Sequence, residues 1–372
     1  MKQFYYLFLL VTGFAFSQIP SGYYSTATGT GSALKTQLFN IINNNTNSSS
    51  TANYGDLWTL YNETSFKDFY YDNDGTIVDL YTEIPSGTDT YTFTPITKQC
   101  GNYDSEGDCY NREHVIPKSY FGGSDVYPMY SDAHFVLPSD GYVNGKHKNY
   151  AYGVVGAATY TSSNGTKLGN SLNSGYSAGF SGIVFEPIDE FKGDIARAYF
   201  YFATCYQNQL ATFKSNFSAS EVSVMFDGTT FPAFDSTFLN ILLTWNNLDP
   251  VSQYEINKNN AVYAFQGNRN PYIDHPEYVT QIWSNPLTTN DASIADFNIY
   301  PNPAKENILY ITASNTQHIL QVEIFNILGA SVSKQQLSNK AKEINISQLN
   351  KGIYLVKFTS KNGSLTKKLV RQ

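Results

Sequence analysis

The chain has 372 residues, a formal net charge of −7, 15% charged residues and 16% aromatic residues. This composition excludes a disordered chain and favours a folded, loop-rich protein that is long enough for more than one domain. Residues 297–372 hold ten Lys/Arg and three Asp/Glu, a charge of +7, so the remainder carries −14 (−7 minus +7). An acidic remainder counts against binding nucleic acid through a broad basic face, and any such binding would require locally clustered basic residues.

Residues 1–17 have the pattern of a secretory signal. A positive start at Lys2 precedes an apolar run from Tyr5 to Phe16, and a small-x-small pattern predicts cleavage before Gln18. The alternative is a membrane anchor, but the apolar run is too short to span a bilayer, and no later segment has transmembrane character. We therefore expect export, to the medium or the cell surface.

Helical spacing of apolar residues predicts the first folded elements. Leu34, Leu38, Ile41 and Ile42 mark one face of a helix, and residues 56–69 are expected to hold a second, short helix.

The run Asp72-Asn73-Asp74-Gly75 is similar to part of a calcium-binding loop. Tyr70 stands where the first Asp should be, however, and no Glu closes the loop at the required spacing, so we predict a turn. Alternating apolar residues then predict strands at 77–81 and 91–93.

Three cysteines limit the redox and metal chemistry. Cys100 and Cys109 flank a short polar loop, which in an exported protein favours a disulfide, with two free thiols as the alternative. Cys205 lies in an apolar helical stretch and is expected to be a buried thiol. Three cysteines cannot form a four-thiolate zinc site, and the spacing of a mixed Cys–His zinc site is missing.

Polar chemistry is most concentrated in residues 111–121, where Glu113 precedes His114, and Asn144 follows downstream. A carboxylate, an imidazole and an amide are what a one-metal phosphodiesterase needs: oxygen ligands for the ion and a base for water. Against this, a lone His is more often structural, and Glu-His pairs are common by chance.

The geometry of this cluster carries one difficulty. Adjacent strand residues point to opposite faces, so Glu113 and His114 can serve one ion only if the strand twists or ends there, as Pro117 favours. Asn144 is expected about one turn into a helix that Ser139 or Asp140 caps.

The second half of the chain divides into helices, a linker and strands. Helices are predicted at 194–210, as the central core helix, and at 234–247. Residues 286–296 have the composition of a linker, and residues 297–372 alternate like strands, which predicts a small β-sandwich.

Several motifs together resemble the secreted bacterial endonuclease I family over roughly residues 20–280. They are residues 107–121 and 132–149, Lys192-Gly193-Asp194-Ile195-Ala196-Arg197 and Gly267-Asn268-Arg269-Asn270-Pro271. The resemblance implies an α+β fold, with a mainly helical nuclease domain at 18–285 that contains a ββα-metal (His-Me finger) motif, the linker, and a small all-β sandwich tail. The tail itself resembles a type IX secretion sorting domain, which implies recognition by the secretion machinery.

The resemblance also implies roles for individual residues. His114 is expected to be the general base, and Glu113 and Asn144 the protein ligands of one Mg²⁺-type ion (Mg²⁺, Mn²⁺ or Ca²⁺). The family's helix usually reads Val-Asn-x-x-Arg-x-Asn, and His147 stands here at the arginine position.

The expected activity is a largely sequence-non-specific, monomeric endonuclease that cuts DNA, RNA or both and leaves 5′-phosphate ends. His134 is expected to support the site from behind or to belong to the core. Five residues are candidate phosphate contacts, with an ordinary packing or surface role as the open alternative: Arg112, Lys118, His147, Arg197 and Arg269.

Two other functions stay open. The aromatic, Asn/Thr-rich composition would suit a non-enzymatic adhesin or glycan-binding protein. A hydrolase of another type is the second alternative. Ser119 lacks His/Asp partners in triad order, which argues against acyl transfer, whereas 28 Asp/Glu precede residue 297 (31 less three) and leave a glycosidase open.

Overall fold

The computed structural model describes most of the chain and shows a mixed α+β fold. The predicted signal (1–17) and the predicted linker (286–296) lie outside the described residues, which are 19–44, 52–123, 125–216, 224–283, 298–312, 319–327, 329–337, 343–360 and 363–372. No helix in these ranges is both long enough and apolar enough to cross a bilayer.

A buried helix, α4 (Lys192–Cys205), forms the centre of the first part of the chain, as predicted. Every one of its residues is buried, and it packs against α1 (Gly31–Asn44) and α6 (Ser236–Leu248). Helix α1 turns its predicted apolar face inward. The remaining helices are α2 (Leu57–Leu60), α3 (Gly141–His147), α5 (Leu210–Asn216), α7 (Gln253–Gln266), α8 (Pro271–Asp274) and α9 (Glu277–Trp283).

Two small sheets accompany these helices. Strand β1 (Tyr110–His114) pairs antiparallel with β2 (Val136–Asp140), and α3 follows β2 directly. The other sheet has the order β3-β6-β5-β4, formed by β3 (Ala151–Tyr152), β4 (Val155–Thr161), β5 (Lys167–Ser171) and β6 (Ile183–Glu186).

The strands predicted at 77–81 and 91–93 are wrong. Only an isolated bridge joins Ile77 to Lys67, although the Ile77 amide also donates to the Phe93 carbonyl at 3.0 Å. The reason lies in Asp79, whose carboxylate accepts the Tyr81 amide at 2.9 Å and whose carbonyl accepts the Thr82 amide, so the chain turns instead of extending.

The C-terminal part of the chain is all β, as expected. Two antiparallel sheets, of orders β10-β9-β12-β13 and β11-β8-β7, share one apolar core. Their strands are β7 (Asn298–Tyr300), β8 (Ile308–Thr312), β9 (Ile319–Asn326), β10 (Ser331–Gln336), β11 (Glu343–Asn345), β12 (Gly352–Ser360) and β13 (Gly363–Arg371).

Candidate active site

The β1–β2 pair and helix α3 form the frame of the candidate site. Register places Tyr110 opposite Asp140 and His114 opposite Val136. Asp140 ends β2 and caps α3, because its Oδ1 accepts the Val143 amide at 2.8 Å. The second oxygen of the same carboxylate accepts the Gly107 amide at 2.8 Å, so one side chain ties the helix start to the loop before β1.

That loop carries the predicted disulfide. Cys100 and Cys109 are bonded, with their Cα atoms 5.6 Å apart, and Cys109 directly precedes β1. Cys205 is a buried free thiol, as expected, and burial raises its pKa.

Glu113 is held by one of its two carboxylate oxygens. Its side chain is buried, and Oε1 accepts hydrogen bonds from the Tyr81 hydroxyl at 3.0 Å and from His147 Nδ1 at 2.5 Å. Within the described residues Oε2 has no hydrogen-bond partner, and it is not a fully enclosed atom. Oε2 is therefore the oxygen of Glu113 that can bind a ligand.

His147 is fixed by acceptors at both ring nitrogens. Nδ1 faces the Glu113 carboxylate, and Nε2 lies 2.9 Å from the Tyr150 carbonyl oxygen. A carbonyl can only accept, so Nε2 carries a proton, and an ionised Glu113 requires a second proton on Nδ1. The contacts therefore hold the buried His147 ring between the Glu113 carboxylate and the Tyr150 carbonyl at the end of α3.

Asn144 stands one helical turn before His147. Residues at i and i+3 share a helix face, so the face that delivers His147 to Glu113 also carries Asn144. Its side chain is partly exposed and makes no hydrogen bond within the described part of the chain. A carboxylate oxygen and an amide oxygen, each without a hydrogen-bond partner among the described residues, are a donor set that suits Mg²⁺, Mn²⁺ or Ca²⁺.

His114 ends β1 as a neutral base. Its Nε2 lies 3.1 Å from the Tyr130 carbonyl oxygen, which places the proton on Nε2 and the lone pair on Nδ1. Burial, with smaller contributions from Lys118 and Arg112, lowers the pKa of His114 to about 3. The ring stacks on that of Tyr130, with the two ring centres 5.5 Å apart, and the residue as a whole is 7% exposed. Nδ1 has no hydrogen-bond partner among the described residues.

Glu113 and His114 contact different neighbours, as adjacent residues of a strand should. Glu113 faces Tyr81 and His147, whereas His114 faces Tyr130 and the ring of Tyr54, 5.6 Å away. Because β1 ends at His114, the backbone leaves the regular pleat at this pair.

Two of the candidate phosphate contacts lie beside His114. Lys118 Nζ is 5.6 Å from the centre of the Tyr130 ring, and its charge acts on His114. Arg112 stacks on Tyr54 at 3.5 Å and on Trp58 at 4.3 Å, and its Nη1 donates to the Tyr54 carbonyl at 2.7 Å. Arg112 therefore has a packing role in this conformation, whereas Lys118 is partly exposed.

Arg197 and Arg269 are both buried in two-pronged ion pairs. Arg197 donates to the two oxygens of Glu255 at 2.6 and 2.7 Å, and Arg269 donates to those of Asp274 at 2.6 and 2.7 Å. Each of the two arginine side chains is 1% exposed. The structure thus gives both residues a role in joining helices and does not bring them to Glu113 or His114.

His134 is also buried and apart from the candidate ligands. Its Nε2 lies 3.2 Å from both the carbonyl and the side-chain oxygen of Asn268, and its ring packs on Tyr201 at 4.3 Å. These contacts correspond to the supporting or core role.

Sequence reasoning missed the tyrosines of the site. Tyr81 positions Glu113 from 32 residues upstream, and Tyr130 fixes the tautomer of His114 through its carbonyl. In a chain with 30 tyrosines, neither has a local signal that separates it from the others. Asp79, whose Oδ2 accepts the Asp140 amide at 2.6 Å, was likewise seen only as part of a strand pattern.

Comparisons with known proteins match both parts of the chain. Residues 30–277 match the family described as Endonuclease I, and residues 298–372 match the family described as a secretion system C-terminal sorting domain.

Named relatives agree with the first match. An extracellular ribonuclease of Bacillus amyloliquefaciens is 31% identical over 263 residues, which cover 70% of this chain and 78% of the relative. An extracellular ribonuclease of Bacillus subtilis (strain 168) is 30% identical over 265 residues, with the same coverage of 70% and 78%. Endonuclease-1 of Buchnera aphidicola is 24% identical over 177 residues, covering 43% of this chain and 60% of that protein.

Proposed function

The chain belongs to the endonuclease I family, and from that premise we propose that it is an exported, metal-dependent endonuclease whose site is Glu113, His114 and Asn144. It is a nuclease, and its sorting domain directs it to the cell exterior or surface through the secretion machinery. The adhesin alternative does not account for a family match that covers residues 30–277. The observation that carries the proposed site is the contact of Glu113 with His147 on the helix that also bears Asn144.

Glu113 Oε2 and the Asn144 amide oxygen would hold one Mg²⁺-type ion. When bound, such an ion supplies positive charge to a phosphate oxygen and to the leaving oxygen. The rest of the ligand shell would be water and substrate, as is usual for Mg²⁺. Tyr81 and His147 both bind Oε1, so they orient the carboxylate and leave Oε2 free for this role.

His114 would be the general base. Its Nε2–H donates a hydrogen bond to the Tyr130 carbonyl, so Nδ1 would accept the proton of the attacking water. Burial keeps the ring neutral at pH 7. Attack in line at phosphorus, with departure of the 3′ oxygen, would leave 5′-phosphate ends.

Lys118 would contact a phosphate next to the scissile one. Contacts of this kind carry no direct sequence information, so little base specificity is proposed. DNA and RNA are both proposed substrates, and the chain is proposed to act as a monomer.

A plasmid-nicking and RNA-cleavage assay with chelator and metal add-back tests this proposal. We expect EDTA to abolish activity, Mg²⁺ to restore it, and His114→Ala to lower kcat by about 10²–10⁴-fold. Asn144→Ala should instead raise the Mg²⁺ concentration needed for half-maximal rate. Activity of His114→Ala equal to that of the wild type would overturn the assignment of the base.

A further inference from the structure

Aromatic rings lie beside His114 in a continuous run. Tyr130 stacks its ring on that of His114, and its carbonyl accepts the Nε2–H of the same residue. Tyr54 stacks on Tyr130, with ring centres 4.1 Å apart, and Tyr127 contacts Tyr130 edge-on, with ring centres 5.7 Å apart. A chain of ring contacts therefore leads from the proposed base through Tyr130 to Tyr127.

Tyr127 is the open end of this chain. Its side chain is 40% exposed, Tyr130 is the one ring among the described residues that contacts it, and its hydroxyl makes no hydrogen bond to any of them. Tyr54, in contrast, is covered by Tyr130 and by the Arg112 guanidinium, 3.5 Å from its ring centre. The Tyr127 ring therefore has surface left for a ligand.

The turn that presents Tyr127 is held in place. The Tyr130 amide donates to the Val126 carbonyl at 3.0 Å, the Ser131 amide donates to the Pro128 carbonyl at 3.1 Å, and the Met129 side chain between them is buried. A ring on an anchored turn loses little conformational entropy when a ligand binds, because its position is already fixed.

Positive charge lies next to these rings. Lys118 Nζ is 5.6 Å from the centre of the Tyr130 ring. A cation beside an open aromatic ring is the combination that single-stranded nucleic acid recognises, with a phosphate on the cation and a base stacked on the ring. In a duplex each base is already stacked and paired, so a ring on the protein surface reaches a base face only after that base leaves the helix.

We propose that Tyr127 and Tyr130 stack an unpaired base next to the scissile phosphate and so favour single-stranded nucleic acid over duplex as the substrate. The inference rests on the proposed function, which places the scissile phosphate at His114 and a neighbouring phosphate at Lys118. Every base has a face that can stack, so this contact distinguishes unpaired from paired strands without reading their sequence.

Equilibrium binding of the full chain to three fluorescently labelled probes, measured by anisotropy at low salt with EDTA present, tests the proposal. The probes are a thymidine strand, a strand of the same length whose sugars lack bases, and a duplex. The two single strands carry the same phosphates, so a contact with a base is what separates them. We expect the wild type to bind the thymidine strand about 10-fold more tightly than the abasic strand.

Substitution of Tyr127 identifies the ring responsible. Tyr127→Ala should weaken binding of the thymidine strand about 10-fold and leave binding of the abasic strand and the duplex unchanged, whereas Tyr127→Trp should bind the thymidine strand at least as tightly as the wild type. Tyr300→Ala is the matched control, because Tyr300 is an exposed tyrosine of the C-terminal part whose ring contacts that of Tyr310 at 5.5 Å. It should bind all three probes like the wild type.

Three results would overturn the inference: equal affinity of the wild type for the thymidine and abasic strands, an equal effect of Tyr127→Ala on all three probes, or an equal loss in Tyr300→Ala. Binding in EDTA requires no cleavage, so these results leave the proposed function standing. Conversely, a wild type that shows the Tyr127-dependent binding but cleaves nothing with Mg²⁺ would contradict the proposed function alone.

Discussion

His147 and Glu113 form a buried hydrogen-bonded pair, with Nδ1 and Oε1 2.5 Å apart and side-chain exposures of 0% and 4%. His147 occupies the position at which the family's helix usually carries arginine. The imidazole contacts the Glu113 carboxylate through Nδ1 and the Tyr150 carbonyl through Nε2, so it links the end of α3 to β1.

Two replacements of His147 should show whether a hydrogen-bond donor to Glu113 is what matters at this position. His147→Ala removes one of the two side chains that bind the buried Glu113 carboxylate, so we expect the free energy of unfolding to fall by about 3 kcal/mol and Mg²⁺ affinity to fall about 10–100-fold. His147→Arg should keep most of both, because a guanidinium can also donate to the Glu113 carboxylate. Denaturant unfolding and metal titration measure the two effects, and equal losses in both variants would show that a donor to Glu113 is not what matters at position 147. His275→Ala, which removes a pair with Glu277 whose side chains are 33% and 52% exposed, is the control and should cost less than about 1 kcal/mol.

Replacement of Lys118 should change the steady-state kinetics, whereas replacement of Arg197 should change the stability of the fold. Lys118→Ala should raise KM for nucleic acid, leave kcat unchanged and reduce the slope of log affinity against log salt by about 1, because one phosphate contact is lost.

Arg197→Ala should lower the free energy of unfolding by about 3–5 kcal/mol, because Glu255 is left unpaired, yet keep the wild-type KM at temperatures where it is folded. A raised KM in folded Arg197→Ala would contradict the structural role.

Lys35 should make stability depend on alkaline pH. Burial lowers the pKa of this ammonium to about 7, and its Nζ donates to the Ala203 carbonyl at 2.7 Å and to Gln207 Oε1 at 3.0 Å, which match the two N–H groups of a neutral amine. Between pH 7 and 10 the unfolded chain holds one more proton at Lys35 than the native state, so the free energy of unfolding rises with pH, by up to about 1.4 kcal/mol per unit.

The comparison that isolates this effect is with Lys35→Met. The difference in free energy of unfolding between wild type and variant should grow in favour of the wild type from pH 7 to pH 10 and stay constant below pH 6, where Lys35 is charged in both states. A difference that is flat across the whole range would show that Lys35 is charged in the native protein.

The Cys100–Cys109 disulfide should contribute to stability through the loop that Asp140 holds. Its sequence separation is 9, and a loop of that size corresponds to about 2–3 kcal/mol. Cys100→Ser/Cys109→Ser should therefore lower Tm and make the protein insensitive to reductant, whereas Cys205→Ala, which removes a buried free thiol, should leave the response to reductant unchanged. Differential scanning calorimetry with and without dithiothreitol measures both.

The spacing of apolar residues along the sequence predicted the helices and strands that form because they bury an apolar face. The apolar face of α1 and the fully buried α4 follow from helical spacing, and the alternation in the tail produced two sheets. The strands expected at 77–81 failed because Asp79 accepts backbone amides, a side-chain contact that apolar alternation does not show.

The sequence allowed the residues of the candidate site to be predicted, but not the side chains that form hydrogen bonds with them. Glu113, His114 and Asn144 came from a local run of functional groups and from the resemblance that contains it. The contacts of Glu113 with Tyr81 and His147 span 32 and 34 residues, and only the folded chain brings them together. Arg197 and Arg269 lie in motifs of the same family, yet their donors are taken by Glu255 and Asp274, which no local pattern identifies.

Helix α3 begins at Gly141, immediately after β2 ends at Asp140. Because no residue lies between β2 and α3, an insertion there would rotate Asn144 about the helix axis by about 100° for each added residue, since a helix has about 3.6 residues per turn. The connection between β1 and β2, residues 115–135, carries no such constraint on the helix. Length variation among homologues should therefore accumulate in that connection and be absent at the junction of residues 140 and 141.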